Sequence, residues 1–325
     1  MRRSVILGLY FILANLKVLA QPELQPHAIA DAYNTGNLRF WKYIPETPEN
    51  SEIPLVIAFH GCTQSAKELS KLAGFIKMAD QYKFALLFPE QKPSNNPSLC
   101  FNWFNSRDVL PGNGELESVK RAMKLMILNH PIDSSRVFTY GLSAGAMMSI
   151  AMLVNYPTEI KAGASLAGAP FDSNRDLLSG LDQMIKPHSK PNELLAKSIL
   201  DIHSGSTVYL PQISIFHGLA DQIVDPENSL LLCKQWLYAQ GIKEDIEFAN
   251  EHSVKNTRLI EQVFMRDSLE KMVILRRFEG LGHALPLEIG PEDHQGGSVG
   301  RYGKDIGFFS TWFILQDWGI IERKD

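Results

Sequence analysis

The chain has 325 residues, 45% hydrophobic and 21% charged, with a formal net charge of -4 and both signs spread along its length. That is enough apolar material for one large buried core. Nucleic-acid binding needs clustered Lys and Arg, and with no basic block present that partner class is excluded.

Residues 1–20, MRRSVILGLYFILANLKVLA, place Arg2 and Arg3 before an apolar run from Val5 to Leu16 and end in Val18-Leu19-Ala20. This order reads as a secretory signal peptide cleaved after Ala20. The run is shorter than the roughly 20 residues that span a bilayer, and Lys17 interrupts it, which argues against a membrane anchor. No later segment is apolar enough to span. The expectation is an exported protein, periplasmic or extracellular, with residues 21–325 forming a single domain and no stable membrane insertion.

Apolar runs bounded by turn residues predict strands at Arg39–Ile44, Leu55–His60, Phe84–Pro89, Arg136–Tyr140, Ala162–Leu166, Gln212–His217 and Met272–Phe278. Most are continuous and rich in Val, Ile, Leu and Phe, as strands buried on both faces of a parallel sheet are. Helical patterns fall between them at Ala66–Tyr82, Glu115–Leu128, Ala146–Asn155 and Glu227–Ala239. Each is long enough for a right-handed crossover, so the predicted fold is α/β, a doubly wound and mostly parallel sheet with helices on both faces. Two segments break the alternation. Asp172–Tyr209 is polar and mixed, with DLLSGLDQMI and ELLAKSIL as short helices, and reads as a small insertion capping the sheet edge. Asn256–Arg266 alternates in RLIEQVF, as an antiparallel strand folding back onto the run from Met272 would.

The stretch FTYGLSAGAMM, from Phe138, ends an apolar run with a serine between two glycines. Gly141-Leu142-Ser143-Ala144-Gly145 matches G-x-S-x-G, the sharp strand-to-helix turn that presents a nucleophilic serine. A serine hydroxyl is a poor nucleophile at neutral pH and needs a base, an acid to orient that base, and donors for the oxyanion. On such a sheet the order is Ser, then Asp or Glu, then His, each at a strand's carboxyl end. PQISIFHGLADQIVDP supplies Asp221 just after a strand end; Asp225 competes with it, but an N-cap for the helix starting near Pro226 accounts for Asp225. MVILRRFEGLGHALP supplies His283 after Gly280 and Gly282. His60 and His217 also end strands, but before glycines where the backbone matters more, and His294 reads as a surface-loop residue. In LVIAFHGCTQS, Gly61 frees the following amides to face the site, so the expected oxyanion donors are the amides of Cys62 and Ala144. The nine histidines are dispersed and lack a ligand spacing such as H-E-x-x-H, so neither a metal nor another cofactor is expected. Of Cys62, Cys100 and Cys233, two can pair in an oxidising compartment; spacing does not choose the pair, and the third reads as a buried thiol.

The segments HGCTQSA from His60, FPEQ from Phe88, NNPSLCFNWF from Asn95, GLSAGAMM from Gly141, ISIFHGLADQIVDPEN from Ile213 and GLGHA from Gly280 resemble the polyhydroxybutyrate depolymerase family of esterases. This α/β-hydrolase group also includes feruloyl and acetylxylan esterases. The resemblance implies Ser143, Asp221 and His283 as triad, Cys62 as an oxyanion amide, and a Cys62–Cys100 disulfide pinning the oxyanion loop to the loop of Phe101, Trp103 and Phe104. Rings there are natural walls for an acyl or aromatic group, with core packing as their alternative role. Where the family commonly carries tryptophan after GHA, this chain has Leu285, which widens the expected pocket near His283. No linker or polymer-binding module follows Asp325, which favours short soluble esters over insoluble polyester. The functional expectation is a serine esterase for short-chain or 3-hydroxybutyrate-type esters. Its alternatives are a feruloyl or acetylxylan esterase and, from another class, a secreted binding protein of the same fold without turnover.

Overall fold

The computed structural model describes residues 23–49, 51–172, 176–187, 191–243, 251–254, 257–267 and 270–322. The expected signal peptide, residues 1–20, lies outside them. In chain order the strands are β1 (Gln25–Pro26), β2 (Arg39–Tyr43), β3 (Ile53–Phe59), β4 (Ala85–Glu90), β5 (Ile132–Leu142), β6 (Ala162–Leu166), β7 (Gln212–Gly218), β8 (Glu251–Val254), β9 (Thr257–Met265), β10 (Lys271–Phe278), β11 (Leu285–Leu287) and β12 (Gly303–Asp305). The helices are α1 (Ala66–Leu72), α2 (Phe75–Tyr82), α3 (Ser106–Val109), α4 (Gly114–Asn129), α5 (Ala144–Asn155), α6 (Leu177–Ile185), α7 (Asn192–Leu200), α8 (Glu227–Ala239) and α9 (Ser310–Asp317).

The large sheet runs β1-β2-β4-β3-β5-β6-β7-β10-β9-β8. From β4 to β10 every pairing is parallel, and the antiparallel strands lie only at the two edges. The period of two along a strand divides the core into two layers. In β3, Leu55, Ile57 and Phe59 pack on the side of α4, α5 and α8, whereas Val56 and Ala58 face α1, α2 and α9. All seven residues of β3 are buried, which is why this strand reads as an unbroken apolar run. The expected back-folded strand is β9, antiparallel to β10.

One expected element is divided. The helix predicted over Ala66–Tyr82 is two helices, broken at Ala73-Gly74, where Gly74 takes φ 65°. A Cβ at Gly74 would stand 2.7 Å from the Gly297 amide nitrogen, so a segment distant in sequence sets the break. The insertion over Asp172–Tyr209 forms α6 and α7. Helix α7 packs on α8, and α6 lies over the carboxyl ends of the strands: Gly180 abuts Trp103, Gln183 Nε2 donates to Asn228 Oδ1 at 3.1 Å, and the Asp225 amide donates to the Met184 carbonyl at 2.8 Å.

Candidate active site

Strand β5 delivers Ser143 at φ 57°, ψ -122°, and α5 begins at the next residue. A non-glycine residue with this backbone is strained by about 1–3 kcal/mol and persists only where its surroundings fix it. The two glycines of the motif supply that fixation. A Cβ on Gly141 would stand 2.0 Å from the Gly145 carbonyl oxygen, and one on Gly145 would stand 2.3 Å from that of Phe59. Both positions therefore exclude side chains because the first turn of α5 crosses directly over β5 and β3. The Ser143 amide donates to the Leu166 carbonyl at 2.9 Å, which fastens the turn to β6.

Asp221 follows β7 in a tight loop. Its Oδ1 accepts from the amides of Ile223 at 2.8 Å and Val224 at 3.0 Å, and its Oδ2 accepts from His283 Nδ1 at 2.7 Å. The loops carrying the two side chains are joined through their backbones, with Leu219 N to Phe278 O at 2.8 Å and Ala220 N to Leu281 O at 2.9 Å. Gly218 permits that approach, since a Cβ there would meet the Leu281 carbonyl oxygen at 2.2 Å. A second histidine touches the carboxylate: His217 Nε2 lies 3.4 Å from Asp221 Oδ2 and 2.9 Å from the Val224 carbonyl oxygen. Burial pushes the Asp221 carboxyl up, but the hydrogen bonds from His217 and His283 outweigh it and hold the group well below its ordinary range. It therefore stays an anion, and an anion at Nδ1 keeps the proton on that nitrogen of His283. Nε2 is left as the basic atom.

Ser143 and His283 line one cavity of about 80 Å³, with Cys62, Met184, Ile223 and Tyr302 among its walls. The Cys62 amide has no acceptor among the described residues. That of Ala144, first residue of α5, is one of the donors that a helix start leaves open. The loop carrying Cys62 is held three ways: Gly61 N donates to Gln64 Oε1 at 2.8 Å, Thr63 N donates to Ser98 O at 2.8 Å, and Cys62 is bonded to Cys100. Cys233 is the free, buried thiol.

Behind the loop carrying Cys62 lies a buried polar network. Gln91 N donates to His60 Nε2 at 3.1 Å, so His60 Nδ1 donates to the Gly61 carbonyl at 2.8 Å. Glu115, at the start of α4, accepts from Gln91 Nε2 at 2.5 Å and from the Asn102 amide and side chain at 2.9 and 2.8 Å. Burial, and then the neighbouring Asp108, pushes the Glu115 carboxyl up to about 8. An acid in the first turn of a helix ordinarily signals only its dipole, so nothing in sequence marked this one as an anchor for two loops.

The structure brings together Ser143, Asp221, His283 and the amides of Cys62 and Ala144. It does not bring the expected walls Trp103, Phe104 and Leu285 to the cavity. Trp103 is buried beneath α6 and packs edge-on against Phe104, which serves to seat that helix. Leu285 is fully buried in β11 beside Gly303, within the core layer of Leu287 and Phe308. Its side chain points to the core, so its size does not widen the pocket. Asp225 does act at the start of α8, its Oδ1 accepting from Glu227 N at 2.9 Å, and His294 is an exposed loop residue. His60 and His217, set aside as strand ends, prove to be hydrogen-bonded supports. Met184, Ile223 and Tyr302 had no sequence signal.

The family profile described as Esterase PHB depolymerase matches residues 38–257. The chain belongs to this esterase family. It is 31% identical over 324 residues to "Poly(3-hydroxyalkanoate) depolymerase C" of Paucimonas lemoignei, covering 98% of this chain and 77% of that protein. It is 26% identical over 266 residues to "Feruloyl esterase B" of Neurospora crassa, covering 78% and 85% respectively. Among solved structures, the acetyl xylan esterase from Aspergillus awamori superposes with a TM-score of 0.68 at 20% identity, over 80% of this chain and 94% of that one. This last similarity speaks for the fold, that of the α/β-hydrolases, which the parallel sheet with helices on both faces shares.

Proposed function

We propose that this esterase hydrolyses carboxylic esters through an acyl-enzyme on Ser143. The observation that carries the reading is the 2.7 Å contact between His283 Nδ1 and Asp221 Oδ2, with the free face of that imidazole in the same cavity as a serine at φ 57°. His283 Nε2 takes the hydroxyl proton as Ser143 Oγ attacks the ester carbonyl, and Asp221 stabilises the imidazolium. The developing oxyanion lies between the amides of Cys62 and Ala144, which have no other acceptor to release. Collapse of the tetrahedral intermediate expels the alcohol with the proton from His283. Water then repeats the sequence on the acyl group and frees the acid.

The substrate class is a short-chain or 3-hydroxyalkanoate ester. The depolymerase relative, similar over nearly the whole chain, supports it. A disulfide beside the oxyanion loop supports export, because such bridges persist in oxidising compartments. The feruloyl and acetylxylan relatives keep a carbohydrate-side ester as the second reading. The test is a panel of p-nitrophenyl butyrate, 3-hydroxybutyrate oligomers, methyl ferulate and acetylated xylan, compared by kcat/KM with Ser143→Ala alongside. The butyrate and oligomer substrates are expected to lead, and Ser143→Ala to abolish turnover of all. Ester turnover that survives Ser143→Ala overturns the mechanism, and a lead for ferulate or xylan overturns the substrate class.

A further inference from the structure

Thr63 contradicts the local rules of its own turn. Gln64 N donates to the Gly61 carbonyl at 3.3 Å, closing a turn in which Thr63 takes φ 63°. Glycine or asparagine ordinarily fills such a position, and a β-branched side chain there is an outlier. The backbone task of Thr63, donation from its amide to the Ser98 carbonyl at 2.8 Å, is one that glycine would perform equally well. Glycine would lack the hydroxyl, and Thr63 Oγ1 shares a hydrogen bond with the Tyr302 hydroxyl at 3.1 Å. A strained residue points to a use for its side chain, and here the side chain holds a wall of the cavity that contains Ser143 and His283.

Tyr302 is fixed from three directions. Its carbonyl accepts from the amide of Leu285, two residues beyond His283, at 2.8 Å, and its hydroxyl meets Thr63. The Arg301 guanidinium lies over its ring, 5.0 Å from the centroid. The ring stands edge-on to the His283 imidazole, with centroids 6.2 Å apart and an interplanar angle of 83°. The Thr63–Tyr302 pair thus joins the segment carrying His283 to the loop of Cys62. Met184 and Ile223 also line the cavity, but one is a flexible thioether and the other is 45% exposed, and neither side chain can be tied by a hydrogen bond.

We propose that Tyr302, clasped by Thr63, is the wall that limits the size of the alcohol half of the ester. The inference rests on the serine-esterase reading above and adds a specificity determinant to it. His283 hands its proton to the leaving oxygen, so the alcohol has to lie within hydrogen-bond reach of that imidazole. A ring packed against the imidazole therefore borders the alcohol rather than the far end of the acyl chain. The cavity of about 80 Å³ is well below the roughly 300–1,000 Å³ of pockets that enclose a whole ligand, so a wall that does not retreat decides what fits. A small alcohol is accommodated beside the ring as it stands. A long alkyl alcohol has to displace the ring, and the bond to Thr63 opposes that movement. Phenylalanine in place of Tyr302 keeps the ring without the clasp, and alanine removes both.

The test compares octyl acetate with methyl nonanoate, two isomers that carry the long chain on the alcohol side and on the acyl side respectively. The ratio of their kcat/KM values cancels any general loss of activity. Tyr302→Ala is expected to raise the octyl acetate to methyl nonanoate ratio about tenfold. Tyr302→Phe and Thr63→Val each remove the clasp and should each raise it about threefold, and the two together no further than either alone. Thr63→Val preserves shape at an exposed position, so the proposal stays testable if Tyr302→Ala fails to fold; circular dichroism and thermal melting check both. The same two esters are titrated by NMR into Ser143→Ala, with and without Tyr302→Ala. There the dissociation constant of octyl acetate is expected to fall about tenfold, with that of methyl nonanoate within about twofold. An unchanged ratio in Tyr302→Ala or in Thr63→Val, or equal gains for the two isomers, overturns the inference. Because binding to Ser143→Ala involves no turnover, failure of the serine mechanism and failure of the alcohol-side wall are read separately.

Discussion

The Cys62–Cys100 bridge closes a segment of sequence separation 38 between the loop of Cys62 and the loop of Phe101, Trp103 and Phe104. Replacing both with serine frees that segment in the unfolded chain, and the loop-closure relation gives a loss of about 4 kcal/mol for a loop of this size. For a chain of 325 residues, an unfolding entropy of about 2.1 cal/mol/K per residue converts that loss into a melting point lower by about 6 °C. Activity follows a different rule. Thr63 N still donates to Ser98 O, and Gly61 N to Gln64 Oε1, so the Cys62 amide keeps two of its three supports. The double variant is therefore expected to lose stability well before catalysis, with kcat for p-nitrophenyl butyrate at 25 °C within about tenfold of the parent, the equivalent of about 1.4 kcal/mol. The assays are calorimetry and steady-state kinetics on the same preparation, with thiol titration of the denatured, reduced protein, three thiols in the parent and one in the variant, to confirm the absence of the bridge. An unchanged melting point would refute the entropic argument. A kcat lowered a thousandfold in a folded variant would refute the claim that hydrogen bonds hold the loop of Cys62.

Two further substitutions probe the buried polar groups. Glu115 has its carboxyl raised from 4.5 to about 8, so the folded state retains a proton that the unfolded state releases over that range. Its stabilising contribution is complete below about pH 4.5 and is lost as pH rises towards 8, with a ceiling of about 5 kcal/mol. Glu115→Gln does not ionise, and its urea midpoint is expected to fall less than the parent's between pH 5 and 8; parallel profiles would contradict this. His217→Leu removes the donor beside Asp221 Oδ2 and is expected to lower kcat about tenfold with little change in KM, about 1.4 kcal/mol. His217→Gln keeps an N–H group and should recover most of that loss, whereas equal damage in both variants would mark His217 as packing alone.

The sheet was legible because its strands are buried on both faces and read as apolar runs; Ala162–Leu166 and Glu227–Ala239 fall at their expected bounds. The residues that meet at the site were legible for a related reason. Each candidate follows a strand end, and Gly141, Gly145 and Gly218 stand where backbones cross too closely for a Cβ. Features fixed by distant contacts were hidden. The break at Gly74 depends on Gly297, and Glu115 acquires its role only when Gln91 and Asn102 fold onto it. Leu285 was misplaced because proximity in sequence to His283 does not tell which way a strand residue points. In α6 the periodicity was visible, but not that Gln183 faces inward and Leu178 outward. The disulfide pair came only through resemblance, since three cysteines at these spacings permit any pairing.

Whether Ser143 is an activated nucleophile is read by labelling with a fluorophosphonate probe. The purified protein is labelled, digested and mapped, with Ser143→Ala as the control. A single adduct on Ser143 is expected, one that disappears in the control and is suppressed by prior incubation with a slowly hydrolysed ester. Folded protein that takes up no label, or label that persists in Ser143→Ala, would contradict it.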